Sequence, residues 1–118
     1  MRYLLIHCLD ETAELSPDDD SDVEGSAAAR AQDAWDTEME ARGVKLYGAR
    51  LQPASDAVTV RVRGGEVLVS DGPFAETKEQ IAGLNVLECA DLDEAIEVAS
   101  RHPTARIGTF ELRPLWQP

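Results

Sequence analysis

The run Ala57 to Ser70, AVTVRVRGGEVLVS, leaves its segment little freedom, because Gly64-Gly65 forms a two-residue turn between two alternating, β-branched runs. If Arg63 pairs with Glu66, the register sets Val62 opposite Val67 and Val60 opposite Val69 on one face, with Arg61 opposite Leu68 on the other. One face is expected to meet the core and the other to be partly wet. Asp71-Gly72-Pro73-Phe74 then ends the hairpin. An Asp carboxylate accepts backbone amides, Gly permits positive φ, and Pro cannot continue a ladder.

The rest of the chain arranges itself around that hairpin. Residues 2–8, RYLLIHC, are apolar with little alternation, as in a central strand buried on both faces. Ser26 can cap a helix in which Ala28, Ala31, Trp35 and Met39 form the apolar stripe, and Gly43 stops it. Trp35 and Met39 read as core. Val44 to Leu51 is a strand ended by Pro53, with Gly48 marking a bulge or a close approach. After the polar AETKEQ, Leu84 to Cys89 is a mostly apolar strand. Asp91 and Glu94 are spaced as a capping box, and Leu92, Ala95, Ile96 and Ala99 form the stripe of a second helix. His102-Pro103 stops that helix, and Ile107 to Leu112 supplies the last strand. This order is that of a single α+β domain, a ferredoxin-like βαββαβ unit with an added hairpin strand. Both helices would cover one sheet face, leaving the other apolar face for a second copy of the chain, so a homodimer is expected.

Charge narrows the function. The 118 residues carry 11 Lys plus Arg against 23 Asp plus Glu, a net charge of −12 that repels nucleic-acid phosphates and anionic lipid surfaces. Eight of the acids and no base fall between Asp10 and Glu24, so residues 10–25 are expected to be a solvated acidic loop. Asp18, Asp20 and Asp22 fit the first positions of a calcium loop. Val23 stands where Gly is required, however, and Ala29 where the bidentate Glu belongs, so no metal site is assigned. Nor does the chain contain a nucleotide or other cofactor fingerprint. Cys8 and Cys89 are far apart and lack a CxxC pair, which suits reduced, buried thiols. No apolar run is long enough to span a bilayer and no signal-peptide pattern follows Met1-Arg2, so a cytoplasmic setting is expected.

The block Asp71-Gly72-Pro73-Phe74-Ala75-Glu76-Thr77-Lys78-Glu79-Gln80 resembles the signature of DGPF-type proteins in the YCII-related superfamily. Gly83, the Asp91 to Ala95 helix start, Arg101-His102-Pro103 and Glu111-Leu112-Arg113-Pro114 extend the similarity over most of the chain from Val44 onward. The resemblance implies a dimeric α/β barrel of ferredoxin-like subunits and a bacterial, cytoplasmic origin, but no particular reaction. Many such proteins are encoded beside, or fused to, extracytoplasmic-function sigma factors. Some relatives use a His–Asp pair with its His in the first helix. The first helix here contains no His, and the pair is not carried over.

The residues offer two readings of function. In the first, Asp71, Glu76, Lys78 and Glu79 crowd ionisable groups at a strand end, where a carboxylate can act as general base while Lys78 steadies an anion. His7, on the central strand, is a further candidate acid–base group. Phe74, His102 and Arg113 are candidate ligand contacts, and the product is a small-molecule site in a cleft. Each has a plainer alternative. Asp71 can cap the turn, Glu76 can pair with Lys78, His7 can be a satisfied histidine on the sheet, and His102 can be a helix-end residue whose charged form the dipole favours. Arg61, Arg63 and Arg113 read either as a patch for an anion or as the wet faces of strands, and Trp116 as packing across the dimer. In the second reading the protein is a non-catalytic interaction module. There the resemblance supplies a sigma factor as partner, and the acidic loop suits a basic protein surface.

Overall fold

The structure is a computed structural model that describes residues 1–10 and 26–117. The acidic loop expected at 10–25 therefore lies, from residue 11 on, outside the described residues. The elements run β1 (Arg2–Leu9), α1 (Ala27–Ala41), β2 (Lys45–Arg50), β3 (Val58–Arg63), β4 (Glu66–Asp71), β5 (Gln80–Glu88), α2 (Leu92–Ser100) and β6 (Thr109–Pro114). Four strands form an antiparallel sheet of order β2-β5-β1-β6, so β1 is central as expected. The α+β, ferredoxin-like order read from the sequence is the order found.

Side-chain alternation splits this sheet into two unlike faces. Tyr3 and Leu5 of β1 and Leu87 of β5 share the face that both helices cover. They meet Trp35 and Met39 from α1 and Ala95, Val98 and Ala99 from α2 in one core. The indole Nε1–H of Trp35 donates to the Val98 carbonyl at 2.9 Å, joining the two helices and satisfying a group in the last turn of α2. The opposite face carries Leu4 and Ile6 of β1, Leu84 and Val86 of β5, and Tyr47 and Ala49 of β2. Nothing in the chain's described residues covers it, and Tyr47 is 59% exposed.

Both helices start as their sequences dictate. Ser26 accepts the Ala29 amide at 3.0 Å, and Asp91 accepts the Glu94 amide at 2.9 Å. Glu94 closes the box by accepting the Ala90 amide at 2.9 Å, one residue ahead of the cap. The buried stripe of α2 is Ala95, Val98 and Ala99, whereas Leu92 and Ile96, assigned to it from the sequence, are about half exposed. The helix lies with the 95/98/99 edge on the sheet, turning 92 and 96 to its flank. Ala31 of α1 is likewise exposed, and Trp35 and Met39 carry that helix's contact.

The β3–β4 hairpin has the anticipated register, from Val58 opposite Asp71 to Arg63 opposite Glu66. It stands as its own two-stranded sheet, not as an added strand of the main one. Among the described residues neither face is covered, and Val60, Val62, Val67 and Val69 are 57–65% exposed. β5 starts four residues earlier than its apolar run. The backbone of 80–83 is bonded on both sides, by Leu9 and Cys8 of β1 and by the Leu51 amide, so the polar side chain of Gln80 does not prevent pairing. β6 starts two residues late, because the amides of Ile107 and Gly108 bond back to Thr104 in a 3-10 turn at Pro103–Arg106.

Replacing Trp35 by Phe leaves most of the ring in place but removes the donor to Val98, which should cost about 1–3 kcal/mol in urea unfolding. Asp91→Ala, at an exposed cap, should cost about 1 kcal/mol by the same measurement.

Candidate functional site

On the helix-covered face, β1 and β5 build a polar cluster where the core gives out. His7 pairs with Gly83, and Leu5 with Asn85, so His7 and Asn85 are diagonal neighbours on one face. Gly83 has no side chain to occupy the space over which the imidazole lies. A Cβ added there would sit 3.8 Å from His7 Cγ and 3.0 Å from the Ala49 carbonyl. His7 Nε2 and Asn85 Oδ1 are 2.5 Å apart. The amide NH2 of Asn85 faces the Tyr47 carbonyl at 3.4 Å, which orients Oδ1 toward the ring. His7 Nε2 therefore carries the proton, and Nδ1 is left with a lone pair and no partner among the described residues.

A charged group adjoins this pair. Lys45, at the start of β2, points to the same face, with its side chain 14% exposed. Its Nζ is held by Asp36 at 2.9 Å and Glu40 at 3.3 Å, two residues one turn apart on α1. Although burial opposes its charge, these two carboxylates hold the Lys45 ammonium above its ordinary pKa. Gly48 permits the arrangement by close approach. A Cβ there would collide with the Asn85 amide nitrogen and come within 2.9 Å of Lys45 Cε. The sequence expectation of a bulge or close contact at Gly48 is met, and β2 has its register irregularity between Lys45 and Tyr47.

His102 lies behind His7, their ring centroids 4.9 Å apart and nearly perpendicular, and it stacks edge-on to Trp35 at 4.7 Å. Phe110 closes the cluster, 4.5 Å from His7 and 5.2 Å from His102. The placement of His102 differs from the sequence expectation. It is 3% exposed, lies beyond the end of α2, and its Nδ1 accepts the Thr104 amide at 3.1 Å to start the following 3-10 turn. An accepting, buried imidazole is neutral. Burial, followed by the neighbouring His7 and Lys45, pushes its pKa down from 6.5 to about 3, the reverse of stabilisation by a helix dipole. Burial also lowers the pKa of His7, partly offset by the Asn85 hydrogen bond and by Asp36.

His7, Asn85, Asp36, Lys45 and His102 line a cleft of about 870 Å³ that also takes in Arg50, Gln52 and Thr104. A second cavity, of about 660 Å³, lies between the 51–59 segment and the DGPF loop, with Phe74, Pro73 and Ile81 in its wall. The structure thus brings His7 and His102 together and sets Phe74, 77% exposed, in the other cavity. Asp71, Glu76 and Lys78 are exposed and line neither cavity. Their loop is pinned by the Gly72 amide on the Ala57 carbonyl at 2.7 Å and the Thr59 hydroxyl on the Gly72 carbonyl at 2.8 Å. Arg113 lies on the uncovered sheet face, where it pairs with Glu111. Burial raises the thiol pKa of both Cys8 and Cys89, which are unbridged. Asp36, Lys45 and Asn85 were not singled out from the sequence. The available signal was Asn85 itself, a lone amide inside the apolar run GLNVLE.

The neutral His102 couples stability to pH. The unfolded chain takes up its proton near pH 6.5 and the folded chain only near pH 3, so the stabilisation is complete above pH 6.5 and is lost as pH falls through that window. The unfolding free energy from urea titrations between pH 7 and 4 should fall at up to about 1.4 kcal/mol per pH unit from this group. His102→Gln should flatten the profile.

No helix among the described residues is long and apolar enough to cross a membrane. The chain is 49% identical over 69 residues to an uncharacterised protein of Rhizobium meliloti (strain 1021), a match covering 57% of this chain and 56% of that one. The chain thus spans little more than half the length of this curated relative. The sequence pattern of the YCII-related domain matches residues 1–117, and the chain belongs to the YCII-related domain family.

Proposed function

We propose that this protein binds a small molecule in the cleft between the sheet and α1 and that His7 acts there as a proton acceptor. The observation that carries the reading is the Asn85 contact, which puts the proton on Nε2 and leaves Nδ1 of a ring that lines the cleft with a lone pair and no partner among the described residues. A general base needs an uncharged, oriented nitrogen within reach of an acidic proton. The lowered pKa of His7 keeps the ring neutral near pH 7. Lys45, held by Asp36 and Glu40, lines the same cleft. In this reading Asp71, Glu76 and Lys78 belong to the loop that presents Phe74, and proton transfer falls to His7.

The proposal includes a homodimer working in the cytoplasm. The sheet face bearing Leu4, Ile6, Leu84 and Val86 is uncovered among the described residues, and a second copy of the same face covers it by two-fold symmetry. Two unbridged cysteines fit a reducing compartment.

A fragment library of weakly acidic alcohols, enols and amides, followed by the His7 ring resonances, tests the site. Binders should shift His7, and Asn85→Leu, which frees the tautomer, should weaken them by about tenfold, the value of one hydrogen bond of about 1.4 kcal/mol. Hits that leave His7 unmoved, or affinities indifferent to Asn85, would contradict the site. For the assembly, sedimentation equilibrium at micromolar concentration should give twice the chain mass, and Val86→Arg should return it to one.

A further inference from the structure

Two ring nitrogens of the polar cluster are left without a partner among the described residues, and they differ in kind. The Asn85 contact puts the proton of His7 on Nε2, which leaves Nδ1 as a bare lone pair. For His102 the tautomer follows from the other nitrogen, because Nδ1 accepts the Thr104 amide at 3.1 Å and the proton of this neutral ring then sits on Nε2. That N–H meets no acceptor among the described residues. Its ring neighbours are His7, Trp35 and Phe110, and no hydrogen bond joins the two imidazoles.

Both nitrogens reach open space. Among the described residues no buried side-chain nitrogen or oxygen lacks a partner, so an unpartnered nitrogen on His7 or His102 has to be accessible, although His102 is only 3% exposed. The space that both residues line is the cleft, and their ring centroids are 4.9 Å apart. One acceptor and one donor, both uncharged, thus stand on adjoining rings. With hydrogen bonds of about 3 Å to each, rings this close can hold groups only a bond or two apart in one ligand.

We propose that the two histidines act as a pair on a carbonyl compound with an acidic hydrogen on the carbon next to the carbonyl, His7 Nδ1 taking that hydrogen as a proton while His102 Nε2–H donates to the oxygen. The C–H bond breaks, its electron pair forms the C=C bond of an enolate, and the carbonyl π pair moves onto the oxygen. His7, then an imidazolium, returns the proton to oxygen or to carbon. The step is a tautomerisation and needs no oxidant or co-reactant. His102 serves by staying neutral, since the Thr104 amide occupies its Nδ1 and burial holds its pKa at about 3. A neutral imidazole fixed in this way donates to charge that develops on the oxygen and keeps its own proton. This inference rests on the assignment of His7 as the proton acceptor and adds a substrate class and a second catalytic residue.

The test uses the intact protein and three small rings as probes. 2-Pyrrolidinone carries an N–H where the substrate carries its acidic C–H, N-methyl-2-pyrrolidinone lacks it, and cyclopentanone is itself a carbon acid. In 1H–15N NMR, 2-pyrrolidinone should move His7 Nδ1 and His102 Nε2–H with one midpoint, and the N-methyl compound should bind about tenfold more weakly. His102→Asn keeps an oxygen that can accept the Thr104 amide but has no counterpart of Nε2–H. It should weaken 2-pyrrolidinone about tenfold and slow the protein-catalysed uptake of deuterium at the α-carbons of cyclopentanone by about 100-fold. Even where that variant is unstable, the shifts of the unaltered protein decide the pairing. If His7 moves while His102 does not, the pair is wrong and the proton acceptor stands. A His102 shift without His7 removes the acceptor and the pair together, as does silence from both. Deuterium uptake no faster than with His7→Gln overturns the carbon-acid chemistry.

Discussion

The antiparallel pairing of β1 with β5 is the constraint on which the other features depend. Its register places Tyr3 beside Leu87, Leu5 beside Asn85 and His7 beside Gly83 on a single face, so the same ladder that builds the core also builds the polar cluster at its end. A slip of one residue would turn His7 to the uncovered side and bring Ile6 and Cys8 inward, which the packing of Trp35 and Met39 forbids. The ladder is regular as far as His7 and shifts between His7 and Cys8. The cluster therefore sits at the last regular rung, with rigid pairing behind it and an irregularity in front, a common setting for side chains aimed at a ligand.

Burying polar groups at that position has a cost, which the local contacts offset. Asn85 is 5% exposed and His102 3%, yet both find partners, in His7 and Tyr47 and in the Thr104 amide. Lys45 is largely withdrawn from water and keeps its charge through two carboxylates on α1. Helix α1 is thus held twice, by Trp35 reaching α2 and by Asp36 and Glu40 reaching β2. The two glycines of the cluster act by omission. Gly83 leaves the space the imidazole covers, and Gly48 allows Lys45 and Asn85 to lie side by side.

The elements were legible because their signals are local. Gly64-Gly65 set the hairpin register to the residue, and Ser26 and Asp91 marked both helix starts. Boundaries failed where long-range pairing overrode side-chain polarity, as at Gln80, or where a 3-10 turn consumed the first residues of an apolar run, as at Ile107 and Gly108. The helix stripe at Leu92 and Ile96 failed because a nine-residue helix with apolar residues on two edges does not reveal which edge docks. The candidate site was half legible. His7, His102 and Phe74 stood out as rare residue types, but the partners that define them are ordinary ones. Asn85, Lys45 and Asp36 gain meaning only when β5, β2 and α1 converge, contacts that span 78 residues for His7 and Asn85. The charges of the DGPF block drew attention in the sequence, whereas in the structure Phe74 and the prolines of that region form the cavity wall.

A proton acceptor at His7 requires the ring proton to sit on Nε2. Long-range 1H–15N correlation of the imidazole, followed from pH 8 to pH 5, reads the tautomer and the titration directly. The expected result is a neutral ring protonated at Nε2, with a midpoint below the ordinary 6.5. A ring protonated at Nδ1, or one titrating above that value, would contradict it.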